Sequence, residues 1–126
     1  MKKRKGPWIV TDSKTVYQNP WIKVREDKVI RPDKKPGIFG VIEQKGGISV
    51  IPMDAQGNIY LTREYHYAVE RITTEAISGG IDGKDSKLRA AKRELKEETG
   101  LVAKKWTYLG IIDPFILKSS VTELVM

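Results

Sequence analysis

Apolar and polar residues alternate along several short segments of the chain, which is the pattern of β-strands with one buried face. Turn-forming residues such as Asn19-Pro20 and the stretch 54–58 separate these segments. A tight hairpin is predicted at Lys45-Gly46-Gly47, between two of the strands. The predicted strands are residues 21–30, 38–43, 48–53, 59–65, 106–112 and 121–126.

One segment has helical periodicity instead. Residues 86–98 contain no glycine or proline, and their apolar positions recur at spacings of three and four. Asp85 or Ser86 can cap the start of this helix, and Gly100 is a typical residue just past a helix end. The stripe expected to pack on a sheet is Leu88, Ala91 and Leu95. The chain is therefore predicted to be an α+β domain with one dominant helix.

The end of the predicted helix carries clustered carboxylates. Glu94 and Glu98 lie one turn apart, and Glu97 lies beside them. Like charges at this spacing cost a few tenths of a kcal/mol per pair, roughly, and the dipole at a helix C-terminus disfavours them further. A divalent cation that prefers oxygen ligands would offset this cost. The alternative is a solvated face whose charge is offset by Arg93 and Lys96.

A glycine-rich loop precedes the helix, and the two together resemble the Nudix box, Gly-x5-Glu-x7-Arg-Glu-U-x-Glu-Glu-x-Gly-U, where U is a bulky apolar residue. Gly79 corresponds to the first glycine. The second half of the motif is matched by Arg93, Glu94, Leu95, Glu97, Glu98, Gly100 and Leu101. Asp85 stands where the family has glutamate, so that side chain keeps its charge and loses one methylene.

The resemblance implies the Nudix fold, a mixed β-sheet sandwiched between helices, here with an N-terminal extension of antiparallel strands. Residues 1–45 would form that extension, a candidate dimerisation element, and residues 46–126 the Nudix domain with its box at 79–101. The part after the box is expected to be short. It lacks an obvious general base, so either that base is missing or a box glutamate such as Glu97 serves.

Roles for individual residues follow from the same resemblance. The catalytic set would be Arg93, Glu94, Glu97 and Glu98. The three glutamates, with the backbone carbonyl of Ser78, would hold two or three Mg²⁺ ions, with Mn²⁺ as an alternative. Arg93 resembles the arginine that orients the box carboxylates, and Asp85 is its expected partner.

Residues 62–70 and 75–80 resemble the branch of the family that hydrolyses ADP-ribose and nucleoside-diphosphate sugars. His66 and Ile77 depart from the pattern of that branch, in which an arginine and a proline occupy these positions. The resemblance implies a homodimer that cleaves the pyrophosphate bond of such a substrate, giving AMP and ribose 5-phosphate from ADP-ribose. The substrate-binding residues would be Arg63, Tyr65, Glu75, Gly79 and Gly80. Alternatives are the hydrolysis of damaged dNTPs and a non-catalytic module that binds nucleotide or RNA.

Composition limits these readings further. The 126 residues suit one domain, contain no cysteine, and include no apolar run of the roughly 20 residues needed to cross a membrane. The 23 Lys and Arg against 16 Asp and Glu give a net charge of +7, which can steer anionic ligands or serve solubility. The lysines are scattered, so solubility is favoured, and neither a membrane nor a specific nucleic acid is expected as a partner. A cytoplasmic protein with a mobile basic terminus at Lys2–Lys5 is predicted.

Overall fold

The structure, a computed structural model, describes residues 2–112, 117–119 and 122–125, with side chains through residue 112. These residues contain one α-helix, α1 (Lys87–Thr99), and a short 3₁₀ turn at Tyr67–Val69. The strands are β1 (Lys3–Lys5), β2 (Trp8–Gln18), β3 (Ile22–Ile30), β4 (Pro36–Gln44), β5 (Gly47–Val50), β6 (Thr62–His66), β7 (Arg71–Glu75), β8 (Ile77–Gly80), β9 (Tyr108–Ile112), β10 (Leu117–Ser119) and β11 (Thr122–Val125). No helix in these residues is long and apolar enough to cross a membrane.

The chain forms two compact units, and the first contains Met1–Lys45 with β10. Its sheet has the order β1-β2-β3-β4-β10, antiparallel except for the parallel pair β4–β10. Val10 and Val29 are its buried apolar residues. The mobile terminus predicted at Lys2–Lys5 is wrong for Lys3–Lys5, because this segment pairs with β2. Backbone hydrogen bonds to a neighbouring strand compensate for its lack of apolar side chains.

Asp27 is a buried charge at the centre of this first sheet, with 2% of its surface exposed. Its carboxylate accepts hydrogen bonds from Arg25 Nε at 2.8 Å, Ser13 Oγ at 2.6 Å and Lys5 Nζ at 3.1 Å. Arg25 also pairs with Glu43. The Arg25 guanidinium, more than any other group, holds the pKa of Asp27 well below its usual range. This network ties β1, β2 and β3 together through side chains.

Replacing Asp27 with Asn is expected to lower the free energy of unfolding by about 2 kcal/mol at pH 7. The charged hydrogen bonds that the Asp27 carboxylate accepts would be weakened or lost. The folded-state pKa of Asp27 lies below its unfolded value, so its contribution is present above about pH 4 and is lost as pH falls. Urea unfolding of both proteins between pH 7 and pH 2 measures this. A stability gap that does not shrink on acidification would contradict the assignment.

The second unit contains Gly46–Ile112 with β11. Its four-stranded sheet has the order β8-β5-β11-β9, in which β5 and β11 are parallel and the other neighbours antiparallel. The predicted mixed sheet is therefore present. The predicted hairpin at Gly46-Gly47 is wrong, because the strands on either side of it belong to different sheets. Lys45 and Gly46 instead connect β4 to β5, and Gly47 is the first residue of β5.

Helix α1 agrees closely with its prediction. Ser86 is the N-cap, and its side chain accepts a hydrogen bond from the backbone N–H of Arg89 at 3.1 Å. Gly100 ends the helix with φ 73°, in the left-handed region that favours glycine. The core that the helix forms with β5 and β8 is Ile48, Val50, Ile77, Ala90, Ala91 and Leu95.

Leu88, predicted to belong to the buried stripe, is 42% exposed, and Ala90 is buried instead. The buried face of the helix is thus turned away from Leu88 and towards the side that carries Glu94. Only 13% of the Glu94 side chain is exposed. An apolar pattern alone does not predict this rotation, because it assigns no glutamate to a buried face.

Candidate functional site

The site begins where the last two turns of α1 pass over β8. Ile48, Val50, Ile77 and Gly79 lie on the same face of the β5–β8 ladder, the face that packs against the helix. A Cβ at Gly79 would point into that contact and lie 2.0 Å from Cδ of Glu94. Only glycine leaves room for the Glu94 carboxylate here. The structure therefore brings together the two halves of the predicted motif.

Arg93 lies among the carboxylates and the glycine loop. Its Nη1 donates to Glu94 Oε1 at 2.8 Å, and its Nη2 donates to the backbone carbonyl of Gly80 at 3.2 Å. Glu97 Oε2 is 3.7 Å from Nη1. Asp85 Oδ2 is 3.9 Å from Nε, an ion pair longer than a hydrogen bond. Arg93 thus joins the box helix to the loop, and the shortened Asp85 makes the longest of these contacts.

Ser78 lies on β8 immediately before Gly79, opposite Ser49 in the ladder. Its hydroxyl lies 2.9 Å from the hydroxyl of Ser49 and donates to the backbone carbonyl of Ala76 at 3.1 Å. Both hydroxyls lie on the face of the β5–β8 ladder away from the helix, since side chains alternate along a strand and the neighbouring Ile77 and Gly79 lie on the packed face. The strand therefore fixes the backbone at the start of the glycine loop.

Glu98 has the most perturbed environment among the box carboxylates. Partial burial, followed by the negative charges of Glu94, Glu64, Glu75 and Glu97, raises the pKa of Glu98 above its usual value. Two of these neighbours come from outside the box, on β6 and β7. Arg93 pairs with Glu94 and Glu97, but its contacts do not include Glu98. Excess negative charge therefore collects around Glu98.

Strands β6 and β7 form a separate two-stranded antiparallel sheet, the β6–β7 ribbon (residues 62–75). Directly opposed residues share a face, so the register divides its side chains into two sets. One set is Thr62, Glu64, His66, Arg71, Thr73 and Glu75. The other set is Arg63, Tyr65, Ile72 and Thr74. Of the predicted substrate-binding residues, Glu75 is therefore on the face whose charges reach Glu98, while Arg63 and Tyr65 are on the opposite face.

His66 and Glu64 were not among the candidate site residues, yet both lie with Glu75. The Nε2 atom of His66 is 2.9 Å from each carboxylate oxygen of Glu75. The ligand atoms of Glu64, His66 and Glu75 all lie within 4.8 Å of one another. The available sequence signal is the Glu64-x-His66 spacing, which places both side chains on one face of a strand. It becomes informative only once the partner strand brings Glu75 opposite.

The assembled site is rich in hard oxygen donors: Glu94, Glu97 and Glu98 on the helix, and Glu64 and Glu75 on the ribbon. Clustered carboxylates repel one another, and this repulsion, after partial burial, raises the pKa of Glu98. A divalent ion would relieve that repulsion and bind donors of this kind. The residues present therefore fit a divalent metal ion.

Two family descriptions match the sequence. Residues 8–42 match "Nucleoside diphosphate sugar hydrolase N-terminal domain", and residues 43–121 match "NUDIX domain". A solved structure titled "Crystal structure of ADP compounds hydrolase" superposes with a TM-score of 0.78 over 92% of this chain and 64% of that chain, at 23% identity. That similarity shows the fold and confirms the predicted fold class.

Two curated proteins named "ADP-ribose pyrophosphatase" are similar in sequence. The one from Mycobacterium tuberculosis (strain ATCC 25618 / H37Rv) is 33% identical over 103 residues, covering 80% of this chain and 49% of that protein. The one from Bacillus subtilis (strain 168) is 26% identical over 92 residues, covering 73% of this chain and 50% of that protein. The chain spans about half the length of these relatives.

Proposed function

Because this chain belongs to the Nudix family, we propose that it hydrolyses the pyrophosphate bond of a nucleoside diphosphate linked to another group. ADP-ribose and nucleoside-diphosphate sugars are the favoured substrates, since the relatives and the N-terminal match both point to this branch. The observation that carries the proposal is the contact of Glu94 with Gly79, which unites the carboxylates of α1 with the glycine loop.

Each residue of the site has a defined part in this reaction. Glu94, Glu97, Glu98 and the backbone carbonyl of Ser78 would hold the divalent ions, two or three Mg²⁺ or Mn²⁺. When bound, such ions neutralise phosphate charge and lower the pKa of the attacking water. Arg93 keeps Glu94 in place through its 2.8 Å hydrogen bond and secures the loop through Gly80. Glu75, whose charge contributes to the raised pKa of Glu98, would lie at the edge of the same site.

Arg63 and Tyr65 are retained as proposed substrate contacts, but on the second face of the β6–β7 ribbon. Tyr65 is 60% exposed and sits opposite Ile72, so its ring is available to a flat ligand on that side. A substrate contacting these residues and Glu98 would have to pass around the ribbon. We expect Arg63 and Tyr65 to affect KM rather than kcat, because they do not lie among the carboxylates.

The test is a substrate panel: ADP-ribose, several nucleoside-diphosphate sugars and 8-oxo-dGTP, each with and without Mg²⁺. We expect metal-dependent release of AMP from ADP-ribose, and weaker hydrolysis of 8-oxo-dGTP. Preferred cleavage of 8-oxo-dGTP would favour the damaged-nucleotide alternative. Failure to cleave any diphosphate, together with salt-sensitive RNA binding, would support the non-catalytic alternative and overturn this proposal.

We also propose that residues 1–45 form a dimerisation element, with residues 46–126 as the catalytic domain. Trp21 is 73% exposed and Ile38 is 67% exposed on the first unit. Exposed large apolar side chains on one element favour contact with another protein surface. Sedimentation velocity distinguishes a dimer from a monomer, and a monomer at micromolar concentration would contradict this proposal.

A further inference from the structure

We propose that Glu64, His66 and Glu75 form a binding site for a divalent transition-metal ion, with His66 as its nitrogen ligand. The site lies on one face of the β6–β7 ribbon and uses none of the box glutamates. Glu75 is shared with the proposed substrate site, but the inference concerns metal binding in the absence of substrate, so its test is independent of hydrolysis.

The spacing of the donor atoms suits a single ion. Ligands bound to one ion at about 2.1 Å lie about 3.0–3.4 Å apart in octahedral and tetrahedral geometries. His66 Nε2 lies 2.9 Å from both carboxylate oxygens of Glu75, and the three ligand atoms all fall within 4.8 Å. Small side-chain rotations would therefore place all three around an ion.

The ribbon holds these donors in register. Glu64 and His66 are two residues apart on β6, so they project from the same face, and the ladder places Thr73 opposite Glu64. Glu75 is positioned by the same strand as Thr73, whose hydroxyl donates to the Glu75 carboxylate at 3.4 Å. The donor set is thus formed by paired backbone and does not depend on a flexible loop.

A simple ion pair explains less of this arrangement. A protonated His66 beside Glu75 accounts for two of the three side chains, and it leaves Glu64 adding negative charge to the same face. Arg71 lies opposite His66 on the same face and supplies one positive charge, but it offers no ligand atom, whereas a dication would bind all three donors. The imidazole nitrogen favours Zn²⁺ and similar ions over Mg²⁺, which prefers oxygen ligands only.

The chain contains a single histidine, so any imidazole signal is that of His66. The experiment uses the full ¹⁵N-labelled chain without a histidine tag and follows the imidazole nitrogens by NMR as Zn²⁺ is added. We expect the Nε2 resonance to move to a metal-bound position in the wild-type protein. An Nε2 resonance that stays unchanged at saturating Zn²⁺ would overturn the inference without any variant being needed.

Variants then test the carboxylates. Glu64→Gln and Glu75→Gln are each expected to weaken Zn²⁺ binding at His66 at least about tenfold, as loss of a partner at a metal site usually does. Glu70→Gln removes the same charge from the turn of the ribbon and serves as the matched control. Glu98→Gln should leave the Nε2 shift in place, because the box is not part of this site. If Glu70→Gln and Glu75→Gln weakened Zn²⁺ binding equally, the effect would be one of general electrostatics, and the three-ligand site would be refuted.

Discussion

Replacement of Glu98 by Gln is expected to reduce kcat/KM for the favoured diphosphate at least about 100-fold and, at the same time, to stabilise the metal-free protein. The loss of activity follows from removal of a charged ligand where ions are proposed to bind. The gain in stability follows because partial burial, and then the charges of Glu94, Glu64, Glu75 and Glu97, disfavour ionised Glu98.

The raised pKa of Glu98 sets the direction of the stability change in the variant. The folded protein holds the Glu98 proton more tightly than the unfolded chain, so stability falls as pH rises through the raised folded-state pKa. Glutamine resembles the protonated form and avoids this loss at pH 7. A Tm increase of about 1–3 °C is expected, since each like-charge neighbour costs a few tenths of a kcal/mol.

Thermal unfolding of both proteins at pH 7 and pH 4, without metal and with Mg²⁺, measures these effects beside the kinetic assay. The Tm difference should close at pH 4, where Glu98 is protonated in the wild type. Added Mg²⁺ should raise the Tm of the wild type more than that of the variant, since a ligand stabilises the state that binds it. Undiminished hydrolysis by the variant would remove Glu98 from the proposed metal site.

Replacing Gly79 with Ala should have an effect of similar size on activity, although it removes no functional group. The added methyl would lie 2.0 Å from Cδ and 2.3 Å from Oε1 of Glu94, so the carboxylate must leave its position. Its hydrogen bond from Arg93 would break with it. We expect a fall in kcat/KM of at least about 100-fold, because small displacements of a catalytic group are costly.

The matched control is Gly40→Ala, the same change on β4, where an added Cβ would meet no atom within 4 Å. Its activity should match the wild type. Circular dichroism and Mg²⁺ titration of both variants separate a displaced Glu94 from a misfolded unit. If Gly79→Ala keeps full activity with an intact fold, the contact between the glycine loop and Glu94 is not required for the reaction.

The helix and the motif could be predicted from the sequence because both depend on residues that are close together in the chain. Ser86 and Gly100 determine where α1 begins and ends through capping and the left-handed conformation, which involve only neighbouring residues. The fixed spacing from Gly79 to Leu101 identified the family before any contact was known. The predicted strands likewise coincide wholly or in part with β3, β4, β5, β6, β9 and β11.

Strand pairing could not be predicted from the sequence by such local rules. Gly46-Gly47 has the composition of a hairpin turn, yet the flanking strands join different sheets. Lys3–Lys5 has no apolar residue to mark it as a strand, and backbone pairing with β2 makes it one, supported by the ion pair of Lys5 with Asp27. Leu88 fits the helical stripe, but the helix is rotated so that Ala90 is buried in its place and Glu94 is largely covered.

By itself the sequence determined the family, the limits of the helix and the carboxylates that the helix carries, because spacing along one regular element fixes which side chains share a face. Only the tertiary structure decided which other residues join them. It brought Glu64 and His66 to Glu75, which the sequence had already indicated, and placed Arg63 and Tyr65 on the opposite face. Strand register sets those relations, and register depends on partners distant in sequence, where a shift of one residue exchanges the two faces.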